Sequence, residues 1–174
     1  MRAVESRYSA EHHMASVNLI FDDEQTAYLR ELSEKMNLDF GEFIPHATLI
    51  NVTEQDIPRL KLAAAALPSL DKLVLDGVNF LPDEAGNCVW VELRVQKTSW
   101  MVEVRRKLLE MLDDIHPGLD IDGFRPHITI GCVEDGTLGD VDMSAIPRQL
   151  PVITKPRAAA CYNGMHGKVV EVVE

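Results

Sequence analysis

Cysteine is scarce in this 174-residue chain: Cys88, Cys132 and Cys161 are isolated and odd in number. That excludes a disulfide framework and a cysteine-rich zinc site, and it predicts a reduced, cytoplasmic setting. Basic charge is short as well. Seventeen Lys and Arg stand against 28 Asp and Glu, for a net charge of −11. The surface field therefore repels a polyanion, and a grip on long duplex nucleic acid is not expected. A local pocket for a small phosphate ester or an RNA end is compatible with that charge. Long apolar runs are missing: nothing approaches the roughly 20 residues that span a bilayer. The opening MRAVESRYSAEHHMAS also lacks a signal-peptide stretch, so no membrane partner is expected. Low-complexity tracts and Gly/Ser linkers are absent too.

What is present is a chain that is 46% hydrophobic, enough for a substantial core. Residues 1–13 read as an N-terminal extension, a candidate disordered segment, and 14–174 as one domain. Alternating and β-rich stretches predict strands at 14–21, 45–52, 72–80, 88–95 and 126–133, with short ones within 151–161 and 168–173. Helical spacing predicts helices at 22–37, around 55–67 and at 98–112. The first is capped by Asp22 or Asp23 and has an apolar stripe of Ala27, Leu29, Leu32 and Met36. The third carries Trp100, Val104, Leu108 and Leu112. Residues 83–86, DEAG, read as a turn.

One motif is written twice. FIPHAT at 43–48 and FRPHIT at 124–129 share Phe-x-Pro-His-x-Thr, each followed by an aliphatic residue. Each copy closes a strand–helix–strand unit, so the chain repeats an architecture. The simplest arrangement is α+β, with two similar lobes related by a pseudo-twofold axis around a central cleft. Side chains two apart in a strand share a face. His46 and Thr48 then point one way while Ala47 and Leu49 enter the core, and His127 and Thr129 oppose Ile128 and Ile130 in the same manner. Two histidines and two threonines lining one cleft suit phosphoester chemistry. A neutral imidazole takes a proton, a protonated one donates to the leaving oxygen, and hydroxyls bind non-bridging oxygens. Near neutral pH both histidine forms are accessible, and sequence leaves open which histidine is the base. Arg125, beside the second motif on the His127 side, is a candidate phosphate contact or a solvated strand-end arginine.

With HAT at 46–48 and HIT at 127–129, the chain resembles the two-histidine (2H) phosphoesterases, which include the 2′-5′ RNA ligase-like proteins and cyclic phosphodiesterases. The resemblance implies a bilobal fold and metal-independent phosphodiesterase activity on a 2′,3′-cyclic phosphate or 2′-5′-type phosphodiester. His46 and His127 would be the acid/base pair, Thr48 and Thr129 would bind phosphate, and no cofactor is implied. The implied partner is a small nucleotide or an RNA end. Members of the bacterial RNA ligase-like branch often carry an arginine shortly after the second motif and are commonly more basic. This chain reads HITIGCVED, which leaves room for a small cyclic nucleotide. A catalytically silent nucleotide-binding module, or a hydrolase of cyclic oligonucleotide signals, is the alternative.

The other residues have plainer readings. Pro45 and Pro126 start strands, and Phe43 and Phe124 anchor packing. Trp90 and Trp100 serve the core, or else the rim of a base pocket. Arg105-Arg106-Lys107 reads as a solvated helix face. His12, His13, His116 and His166 lack metal-ligand spacing, so no metal is expected. Oligomeric state is open.

Overall fold

The computed structural model describes residues 14–82, 87–115, 123–134, 138–164 and 168–174. The extension at 1–13, the turn at 83–86, His116 and His166 lie outside these. The elements run β1 (Ala15–Ile20), α1 (Asp23–Lys35), β2 (His46–Val52), α2 (Ile57–Ala65), β3 (Lys72–Pro82) and β4 (Cys88–Val95). They continue with α3 (Ser99–Met111), β5 (His127–Glu134), β6 (Val152–Thr154), β7 (Arg157–Asn163) and β8 (Val169–Val173). Local chemistry explains the helix starts. Asp22, Asp56 and Thr98 each accept a backbone N–H of the first turn, at Gln25, Arg59 and Met101. In the 151–161 region, where short strands are expected, Lys155 turns the chain in a left-handed conformation (φ 47°) and separates β6 from β7.

All eight strands join one antiparallel sheet in the order β6-β3-β4-β5-β2-β1-β7-β8. The order reads symmetrically outward from the β5–β2 junction: the motif strands meet at the centre and each half adds its partner strands outward. This is the expected pseudo-twofold, with the halves joined edge to edge in one curled half-barrel. The helices pack through a single apolar core that includes Leu29, Leu32, Leu60, Met101, Val104 and Leu108. They are exchanged between the halves: α1 lies against β5 and α3 against β2. Ala27 is exposed, so the buried stripe of α1 is Leu29, Leu32, Ser33 and Met36. Among the described residues no helix is long and apolar enough to cross a membrane.

Candidate active site

The two motif strands are neighbours. Ala47 pairs with Ile128, and the antiparallel sense of that pair sets His46 across from Thr129 and Thr48 across from His127. Ala47, Leu49, Ile128 and Ile130 are fully buried in the helix-side core. The histidines and threonines therefore occupy the opposite, open face, as the alternation predicted. Phe43 anchors the entry to β2 by stacking on Phe40, with ring centroids 4.6 Å apart. Phe124 packs against the same core beneath the Arg105 guanidinium.

Each motif strand bulges immediately after its threonine. Leu49 is the extra residue of β2 between the partners Val17 and Asn18, and Ile130 is the extra residue of β5 between Val91 and Glu92. Bulges bend a strand and re-aim the side chains beside them. Arg105 reaches from α3 to donate to the Leu49 carbonyl (2.7 Å), and it is 4% exposed. It belongs to the support of the motif strand and not to a solvated face. Helical spacing alone could not say which of Arg105, Arg106 and Lys107 meets the sheet. On the other half, Gly131 has φ 148°, and Asp39 and Cys132 exchange backbone hydrogen bonds of 2.8 and 2.9 Å beside it.

The histidines sit in different surroundings. His46 is 6% exposed, and its Nδ1 lies 2.6 Å from the Ile44 carbonyl oxygen. A carbonyl only accepts, so Nδ1 carries the proton and Nε2 holds the lone pair. Burial lowers its pKa to about 3. The Ile44 hydrogen bond opposes that shift, and the positive charges of Lys168 and His127 add to it. His46 is therefore neutral across the physiological range.

His127 is less enclosed, with 19% of its side chain exposed. Its Nδ1 lies 2.9 Å from the Arg125 carbonyl oxygen, and its Nε2 lies 3.2 Å from Glu92 Oε1. Oxygen atoms at both nitrogens suit the imidazolium, which donates from each. Glu92 is 1% exposed, and its other oxygen lies 2.9 Å from Arg125 Nη1. Burial raises the Glu92 pKa, against the lowering effects of Arg125 and Lys168. The guanidinium of Arg125 is thus engaged with Glu92.

Sequence reading missed two residues of the site. Glu92 sits in a strand where one alternating acidic residue looks like any solvent-facing position, yet it pairs directly with Thr129. Lys168 precedes β8, is 8% exposed, and donates from Nζ to Thr129 Oγ1 at 2.7 Å. Its ammonium lies over the Trp90 ring at 4.9 Å and near the Phe43 ring at 5.5 Å. Trp90 thus lines the open face, while Trp100 packs against the core. No local pattern in NGMHGK marks the lysine. Among the described residues no cluster of three or more His, Cys, Asp or Glu side chains is placed to hold a metal ion. Burial pushes the Cys161 thiol up to about 11, which keeps it protonated.

No protein-family model and no curated protein matches the sequence. Solved structures do match the fold. E. coli LigT complexed with 3′-AMP superimposes with a TM-score of 0.58 at 14% identity, covering 94% of this chain and 96% of that one. A protein described as a phosphoesterase gives 0.53 at 16% identity, with 94% and 97% covered. Usb1 from Kluyveromyces marxianus gives 0.53 at 10% identity, with the same coverage. Over most of its length the chain shares the fold of LigT and Usb1.

Proposed function

We propose that the open face is a metal-independent phosphodiesterase site for a 2′,3′-cyclic phosphate or a 2′-5′-type phosphodiester, on a small nucleotide or an RNA end. The observation that carries this reading is the contrast between two histidines on adjacent strands. His46 is held neutral with its Nε2 lone pair available as a base. His127 has both nitrogens against oxygens, so an imidazolium there would donate from each. In hydrolysis of a cyclic phosphate, His46 Nε2 takes a proton from water as its oxygen bonds to phosphorus. The bond to the ribose oxygen breaks, and His127 Nε2 gives that oxygen its proton. The product is a phosphomonoester, and a second proton exchange with solvent resets the pair. Thr48 and Thr129 hydroxyls bind the non-bridging oxygens. Arg125 holds Glu92, and through it the orientation of His127, with its guanidinium at the rim for a phosphate oxygen. LigT, which shares the fold, has been solved with 3′-AMP and with phosphate, in keeping with a nucleotide ligand.

The test is turnover, in the presence of chelator, of the four 2′,3′-cyclic nucleotides, a 2′-5′ dinucleotide and a cyclic dinucleotide. His46→Ala and His127→Ala are each expected to lower it by about 10²–10⁴-fold. Retained activity in either variant refutes the paired mechanism. One observation favours a second reading: Glu92 occupies His127 Nε2, the nitrogen that must reach the leaving group. If Glu92 never yields that position, the site binds nucleotides without cleaving them. Binding of the panel without product over long incubation is the sign of that state.

A further inference from the structure

Lys168 has no role in the acid/base scheme, and its placement calls for one. The lysine reaches the site from the segment that follows β7, at the far edge of the sheet. Val169, next in sequence, accepts a backbone hydrogen bond from Ile44 at 2.8 Å, two residues before His46. From there the Lys168 ammonium bonds to Thr129 of the second motif at 2.7 Å and lies 5.5 Å from the ring of Phe43 in the first. One side chain thus straps the two motif strands together at the point where their hydroxyl and imidazole groups meet.

Burying an ammonium is unfavourable unless its lost hydration is replaced. Here the shortfall is visible, because burial lowers the Lys168 pKa to about 8 despite the opposing charge of Glu92. The titratable groups facing it are Glu92 and Cys88 from β4, Cys132 from β5, and His46 from β2, which its charge in turn acidifies. Two aromatic faces complete the enclosure. The pocket therefore disfavours the cation yet keeps it charged at neutral pH, beside the hydroxyl that faces the reaction. An ammonium has only donors, so Thr129 Oγ1 accepts from it, which leaves the threonine's own proton to be donated to another acceptor. An anion arriving there would meet both donors and add its negative charge to that of Glu92 beside the ammonium.

We infer that Lys168 is the principal cation of the site: it binds a non-bridging oxygen of a singly charged phosphodiester and, through Thr129, aims a second donor at the same group. This rests on reading the open face as a phosphodiester site. It adds that affinity for the anion comes from a residue outside both motifs, and that Arg125, tied to Glu92, is the lesser contact.

The experiment uses dimethyl phosphate, an inert diester that stays monoanionic from pH 5 to 10. Its dissociation constant is followed by NMR for the native chain, Lys168→Met and Lys168→Arg. At pH 7 the Met variant is expected to bind at least about tenfold more weakly, and the Arg variant within about threefold of native. Between pH 7 and 9 the native protein should lose about tenfold as the ammonium deprotonates, while the Arg variant loses nothing. Equal binding by Lys168→Met, pH-independent native binding up to 9.5, or no binding by the native protein at pH 7 each overturn the inference. If the Met variant fails to fold, the native pH dependence and the Arg variant still decide it. The probe is never cleaved, so a silent site that binds it supports the inference even if the phosphodiesterase reading fails. A turnover-competent protein whose Lys168→Met variant binds normally refutes the inference alone.

Discussion

Titrating His46 should destabilise the folded chain in mild acid by an amount that follows from its burial. Free histidine titrates near 6.5, whereas burial, assisted by the charges of Lys168 and His127, brings His46 to about 3. The folded value lies below the unfolded one, so the unfolded chain takes up the proton first as pH falls. Stability attached to His46 is fully present above about pH 6.5 and is lost progressively as pH falls toward 3. At pH 5 the unfolded histidine is almost wholly protonated and the folded one almost wholly neutral. The loss there is about 2 kcal/mol, and it is nearly the same for any folded value at or below about 4. At pH 4 it grows to about 3 kcal/mol. The assay is urea unfolding of the native chain and of His46→Gln at pH 7 and pH 5. Gln keeps most of the volume and a donor for the Ile44 carbonyl, and it does not titrate. The native chain should lose about 2 kcal/mol more than the variant between the two pH values. A difference below about 0.5 kcal/mol would mean that His46 protonates in the fold as readily as a free histidine. The argument for it as a standing neutral base would then collapse.

Two further outcomes follow from the same geometry. Glu92→Gln removes the charge that holds up the Lys168 pKa. The loss of dimethyl phosphate binding at alkaline pH, expected near pH 8 in the native chain, should then move lower, and an unchanged profile would separate Lys168 from anion binding. Gly131→Ala forces a Cβ to within 2.8 Å of the Asp39 carbonyl oxygen at φ 148°, while Gly139→Ala meets nothing within 4 Å. The first should cost about 2–4 kcal/mol in urea unfolding and the second almost nothing. Equal costs would show that the β5 bulge is not held by that glycine.

Much of the fold was legible in the residues. Alternation in HATLI and HITI assigned the correct side chains to the core and to the open face. The first helix cap was narrowed to Asp22 or Asp23, of which Asp22 takes the role, and the doubled strand–helix–strand unit appeared with its motif strand in the right order. Other features were hidden. The register shifts at Leu49 and Ile130, the burial of Arg105 beside exposed neighbours, and the approach of Lys168 from the opposite edge leave no trace in local pattern.

The sequence alone determined that there are two equivalent motifs and which way each faces, because side-chain direction along a strand is a local, two-residue property. Only the tertiary structure made the motifs unequal. It enclosed His46 and leaned Glu92 and Arg125 toward His127, and it brought Lys168 to Thr129. Desolvation and charge depend on which distant segments come together when the sheet curls, and no short window of sequence carries that information.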